Sequence, residues 1–331
     1  MARTIAADIA PRVGGPSAHC PREEALAPRV RFAVALNTQN IEWNEYIGIV
    51  RAADEMAFET FWSFDHLMPI GGDMNGSCHE CYATMAAFAA ATKRIRIGAL
   101  VSGAAYRNAG MTIKLATQID VISNGRFDFG IGAGWAEREF RAFDLPFTTP
   151  KERIGKLRET IELAKLLWSG DPTKKVTYEG KYIKATDLFM NPQPVQRPRP
   201  PIMIGGGGEQ LTLRVVARHA DIWHGFGDAD TLKRKLDLID TYARGYGRDP
   251  REITRSTNVA IFVGEPTEAQ LRSAAGGRRP AALISGTPDA IEARLRELVD
   301  LGIGYFILSS PLGVDLDNWH RVSEQIIPRF G

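Results

Sequence analysis

Eight short apolar runs, rich in β-branched and aromatic residues, alternate with amphipathic stretches along most of this chain. The runs occupy 30–36, 60–63, 95–101, 127–131, 202–204, 221–224, 256–263 and 305–308. Helical periodicity places apolar residues on one face of the segments 43–56, 80–92, 111–123, 151–168, 210–219, 230–246, 288–301 and 317–327. Strands that each feed a helix build a parallel sheet, and eight of them close a (β/α)8 TIM barrel in the α/β class. A doubly wound sheet would put a phosphate loop directly after the first strand, and Asn37-Thr38-Gln39-Asn40 is not such a loop. Between the fourth and fifth strands the rhythm breaks. VTYEGKYI (176–183) reads as a hairpin turning at Glu179-Gly180, and the proline-rich 191–201 forms neither helix nor central strand. The expected organisation is one barrel over 30–331 with an insertion at about 170–201, preceded by a flexible extension over 1–29. The extension is rich in Ala, Pro and Arg and lacks a continuous apolar segment, so no secretory signal is expected.

Charge narrows the function. Among 331 residues, 41 basic and 39 acidic side chains are intermixed, which leaves no electrostatic footprint for nucleic acid. No apolar run reaches the ~18 residues that a membrane span needs. Cys20, Cys78 and Cys81 are too few for a disulfide framework and fit a reducing, cytoplasmic setting. Cys78-His79-Glu80-Cys81 looks like a metal or redox fragment but has no second ligand pair, so no metal site is expected.

Chemistry in a barrel collects at the C-terminal ends of its strands. Those positions hold Asn37 and Thr38, then Asp65 and His66, then Val101, Ser102 and Gly103 with Tyr106, Arg107 and Asn108 beyond. Gly132, Gly134 and Trp135 follow the fourth run, Gly205 to Gly208 the fifth, His224 the sixth, and Ser309 and Ser310 the eighth. Gly205-Gly206-Gly207-Gly208 opens a helix and leaves backbone N–H groups at its positive end, an anion site. A strand-to-helix turn also uses glycine, but one or two would serve. His66 is the leading catalytic candidate, because imidazole exchanges protons near neutrality; the commoner fate of a lone histidine is a hydrogen-bonded place in the core. Adjacent strand residues face opposite ways, so Asp65 need not touch His66. His224 is a weaker candidate. With no hydrolytic triad, zinc motif or P-loop, an organic cofactor is the economical source of chemistry.

SFDHL (63–67), RIRIGALVSGAAYRNAG (94–110), DVISNGRFDFGIGAGW (120–135), NPQPVQRPRPPIMIGGGG (191–208) and ADIWH (220–224) together resemble the bacterial-luciferase-like flavin barrels. The resemblance runs in order over nearly all of 31–330 and is nearest to the branch using the deazaflavin coenzyme F420, with FMN as the alternative. It implies that Gly205 to Gly208 grip a cofactor phosphate and that Leu100-Val101-Ser102 forms a non-proline cis bulge behind the ring. It implies that Asp65, His66, Arg107, Gly132 and Gly134 also border the cofactor, with His66, Asp65 and Trp135 on the catalytic face. The activity implied is hydride transfer between F420 and a small organic substrate. Rivals are an FMN-dependent two-component monooxygenase and a non-catalytic flavin binder. Implied partners are an F420 or flavin reductase and a second copy of the chain. For that copy, Met85, Ala86, Ala89 and Ala90 offer a small-residue face that core packing explains equally well. Sugar-phosphate dehydrogenases of the family carry an acid directly after the Gly-x-Gly loop. This chain has Trp135 there, so a sugar phosphate is not the expected substrate.

Overall fold

The computed structural model describes residues 29–273, 283–309 and 314–331. Cys20, the break near Gly276, Ser310 and all but the last residue of the 1–29 extension lie outside them. The chain begins β1 (Arg31–Leu36), α1 (Trp43–Asp54), β2 (Thr60–Ser63), α2 (Cys81–Ala91), β3 (Arg96–Ala99), β4 (Ser102–Gly103) and α3 (Ala109–Ile122). It continues with β5 (Phe127–Gly132), α4 (Glu137–Ala142), α5 (Pro150–Leu167), β6 (Val176–Glu179), β7 (Lys184–Leu188), β8 (Ile202–Gly205), α6 (Thr212–His219) and β9 (Ile222–Gly225). The last part holds α7 (Ala229–Gly245), β10 (Thr254–Val263), α8 (Glu268–Ser273), β11 (Leu283–Gly286), α9 (Pro288–Asp300), β12 (Tyr305–Ser309) and α10 (Leu316–Gln325).

Parallel pairing runs β1-β2-β3-β5-β8-β9-β10-β12 and returns to β1, which closes the eight-stranded barrel. All eight expected strands are present. Side chains locate the helix starts: Thr149 and Glu152 form a reciprocal capping box with Pro150 at the first turn of α5, and Asn108, Asp228, Thr287 and Asp315 cap α3, α7, α9 and α10. Among the described residues no helix is long and apolar enough to cross a membrane.

The alternation in FDFGIG now has a physical reading. Phe127, Phe129 and Ile131 turn outward into the core beneath the helices, while Asp128, Gly130 and Gly132 turn into the barrel. Asp128 pairs with Arg96 at 2.5 Å and accepts from Thr60 Oγ1 in the barrel interior. Next to it, Trp62 fills the interior and donates to Tyr305 Oη at 3.1 Å. A Cβ on Gly98 would stand 2.4 Å from the Trp62 ring, and one on Gly130 would stand 1.8 Å from the Ala99 carbonyl. Glycine at both positions lets the indole and the neighbouring backbone fit.

Two expectations are corrected, and one alternative left open is decided. The third strand does not run through 101: β3 stops at Ala99, the cis bulge that the resemblance implied is present with a cis peptide joining Leu100 to Val101, and pairing with β5 resumes only at β4. The hairpin does not turn at Glu179-Gly180. Its loop covers 180–183 and its second strand is β7, because the buried Glu159 carboxylate on α5 accepts the N–H groups of Lys181, Tyr182 and Ile183 at 3.2, 2.7 and 2.9 Å. Met85 and Ala89 are buried in the protomer's own core, leaving only Ala90 of the small-residue face exposed and Ala86 half-buried. Elements that went unexpected include the short helices α4 and α8 and the strand β11, which extends the sheet from the far half of β10.

Candidate active site

A cavity of about 930 Å³ opens at the C-terminal mouth of the barrel. Asp65, His66, Leu100, Val101, Gly132, Gly134, Trp135, Gly205 and Gly206 line it, together with His224 and Asn258. Ser102, Arg107, Gly207 and Gly208 do not.

Asp65 and His66 leave β2 in opposite directions and take different partners. The Asp65 carboxylate is enclosed: Ser102 Oγ donates to it at 2.8 Å, Gly103 N–H at 3.2 Å, and Arg107 grips both oxygens at 2.7 and 2.9 Å. Arg107 also pairs with Glu80 and lies over the Tyr82 ring, so it serves the protein rather than the cavity. Asp65 therefore ties the end of β2 to the segment just past the cis bond.

His66 Nδ1 lies 2.7 Å from Glu139 Oε1, a fully buried carboxylate on α4. Tyr106 Oη donates to the other oxygen at 2.7 Å and Leu67 N–H at 3.3 Å. Burial pushes the Glu139 carboxyl up, but the hydrogen bonds from His66 and Tyr106 hold it below the usual carboxylate range. An ionised acceptor requires Nδ1 to carry the proton, leaving Nε2 as the ring's second nitrogen, without a hydrogen bond among the described residues. Trp135, 66% exposed at the rim, sets its ring edge-on to His66 at 5.6 Å. Gly134, at a φ of 78°, makes the turn between β5 and α4 that delivers Glu139. Glu139 was not among the expected site residues; its four-residue spacing from Trp135 was the available signal, and its partner lies 73 residues away.

The glycine loop after β8 is only partly free. Gly206 N–H donates to the His224 carbonyl at 3.1 Å, whereas the N–H groups of Gly207 and Gly208 take no partner among the described residues. Lys235 Nζ stands 2.6 Å from where a Cβ on Gly207 would lie, adding a cation that the sequence did not mark. On the inner wall, Cβ atoms on Gly132 or Gly205 would stand 2.7 and 2.8 Å from the Val101 side chain, so glycine there admits the residue after the cis bond. Cys81 sits in the core and Cys78 donates to the His66 carbonyl at 3.3 Å; burial pushes both thiols up.

A closed parallel barrel with a histidine–carboxylate pair and a glycine-walled cavity at its C-terminal mouth defines a TIM-barrel enzyme of the cofactor-binding kind. The chain belongs to the luciferase-like monooxygenase family, whose model matches residues 29–299. It is 26% identical to an F420-dependent glucose-6-phosphate dehydrogenase of Microbacterium testaceum, over 91% of this chain and 97% of that protein. It is also 26% identical to an F420-dependent hydroxymycolic acid dehydrogenase of Mycobacterium tuberculosis, over 71% of this chain and 64% of that protein. In structure it resembles the coenzyme F420-dependent tetrahydromethanopterin reductase of Methanopyrus kandleri, with a TM-score of 0.76 and 20% identity over 92% of this chain and all of that one.

These relatives overturn the expectation against a sugar phosphate. Proteins named for glucose 6-phosphate align along almost the whole chain, so Trp135 does not exclude that substrate class. The structure supplies a physical reason. Position 135 lies at the exposed rim, while the carboxylate of this site comes from Glu139 and acts on His66.

Proposed function

We propose that this protein is an F420-dependent oxidoreductase that moves a hydride between the cofactor and an oxygen-bearing carbon of a small organic substrate. The observation that carries the reading is the His66–Glu139 pair, set at a cavity whose walls fit a phosphorylated ring cofactor. Gly132 and Gly205 clear the ring-side wall around Val101, and just beyond the lining, Gly207, Gly208 and Lys235 offer N–H groups and a charge to a phosphate. When bound, F420 supplies the carbon that gives or takes the hydride.

The residues supply the rest. His66 Nε2 accepts the proton of a substrate hydroxyl during oxidation and returns it in the reverse direction. Glu139 holds the ring orientation and stabilises the charge that the ring gains. Asp65 is a positioning residue, since Ser102, Gly103 and Arg107 enclose its carboxylate. Trp135 walls the approach to His66. Sugar phosphates belong to the substrate class tested.

The same reading includes a homodimer in the cytoplasm served by an F420 or flavin reductase. Exposed Met111 and Phe189, beside a groove of about 460 Å³ between α3 and the hairpin, support an apolar contact. Sedimentation at the mass of one chain would remove the dimer.

Titrating the apoprotein with F420 and with reduced FMN tests the core of the proposal. Tight F420 binding is expected, with turnover of an alcohol or sugar phosphate that falls about a hundredfold or more in His66→Ala. Tight FMN binding with oxygen uptake and no F420 binding would instead establish the monooxygenase rival.

A further inference from the structure

Two buried polar atoms at the cavity wall have no partner among the described residues, His224 Nε2 and Asn258 Oδ1. Buried side-chain polar atoms are rarely left this way. Their placement follows from the barrel. Ser256 lies directly opposite His224 in the β9–β10 register, and Asn258, two residues on, shares its inward face.

The hydrogen bonds around His224 settle which kind of group its free nitrogen is. Ser256 Oγ donates its one proton to the Trp223 carbonyl at 2.9 Å. The contact between Ser256 Oγ and His224 Nδ1, at 3.0 Å, must then use the proton of Nδ1. Nε2 is left with a bare lone pair. Burial pushes the ring's pKa down to about 3, so the lone pair persists at neutral pH. The ring cannot easily turn away. Phe226 meets it edge-on at 4.8 Å, and the His224 backbone carbonyl takes Gly206 N–H while Trp223 Nε1 donates to the Gly206 carbonyl at 2.9 Å.

We infer that His224 and Asn258 form an acceptor subsite on the β9–β10 wall, built to receive an O–H or N–H donor of the bound ligand. The donor belongs either to a hydroxyl-bearing substrate or to the polar edge of the ring cofactor, and the chemistry recognised is the same. A ligand lacking that donor leaves both acceptors dry and binds poorly, so the subsite selects polyhydroxylated or otherwise donor-rich ligands over apolar analogues of equal size. The inference rests on the oxidoreductase reading only for the identity of the ligand.

Full-length wild type, His224→Phe and Asn258→Leu serve as the test, with F420 affinity read by fluorescence and KM read with any turned-over substrate. A donor on the cofactor raises the F420 Kd about tenfold in both variants. A donor on the substrate leaves that Kd unchanged and raises KM about tenfold. His224→Gln, which restores an acceptor, should recover much of the loss in either arm. A direct readout accompanies these. The ¹⁵N resonance of His224 Nε2 in wild type should move when F420, FMN or glucose 6-phosphate is added.

Variants that melt with wild type, keep both constants within about twofold and leave the resonance unmoved by all three ligands would overturn the subsite, leaving the two atoms to water. Movement with FMN or glucose 6-phosphate, but no F420 binding, would keep the subsite and sink the cofactor assignment.

Discussion

His66 and Glu139 show how one residue acquires a chemical role from another. An imidazole with one nitrogen tied to a buried, ionised carboxylate presents the other as a proton acceptor and tolerates the charge that follows. Glu139→Gln keeps the shape and one hydrogen bond but removes the negative charge. Its kcat/KM should fall by about 10² to 10³, with the F420 Kd nearly unchanged, in steady-state kinetics beside a binding titration. A rate within about threefold of wild type would show that the carboxylate only holds the ring in place. The histidine and its strand-end position were legible in the sequence. Its partner was not, because residues 66 and 139 meet only after two strands and a short helix have been set around the barrel. Asp65 is the converse case. The resemblance put it on the catalytic face with His66, but the alternation of the chain sends its carboxylate to Arg107, 42 residues away.

At the scale of elements, the loop of the inserted hairpin is shaped by one carboxylate on a barrel helix. Glu159 on α5 accepts three consecutive N–H groups of the hairpin loop, and Gly180 is small enough to let it in, since a Cβ there would lie 2.3 Å from its oxygen. Glu159→Ala leaves those donors without their acceptor and should cost about 2 kcal/mol. The amides of Lys181, Tyr182 and Ile183 should exchange faster, while those of the barrel strands keep their protection; hydrogen exchange with mass detection checks both. Uniform loss of protection would show instead that the hairpin and barrel open as one unit. The hairpin was visible in VTYEGKYI as a local pattern. Its register was not, because the turn is set by an acceptor on another element rather than by a two-residue loop of its own.

For the whole molecule, burial of titratable groups predicts the response to acid. His219 and His224 are pushed down to about 3 from the ordinary 6.5, both first by burial and His219 also by the nearby cations Lys165 and Arg218. The unfolded chain binds their protons at pH values where the folded chain does not. Stability from this source is therefore complete above about 6.5 and is lost as pH falls from there towards 3, on the order of a few kcal/mol. Thermal melts between pH 7.5 and 4.5 should show a falling Tm, and His219→Gln should flatten part of the decline. A Tm constant to pH 4.5 would show that these rings take up protons without unfolding. The barrel itself was determined by the sequence alone: eight apolar runs, each followed by an amphipathic helix, bury their faces in few other ways. Glycines after the fourth and fifth runs likewise marked where a ligand could approach. Only the tertiary structure decided the split between free and occupied N–H groups in the Gly205–Gly208 loop and the partners of Asp65, His66 and His224. Hydrophobic periodicity is a local property that any short window reveals. Hydrogen-bond partners across a closed barrel are not, because closure brings together residues that lie far apart along the chain.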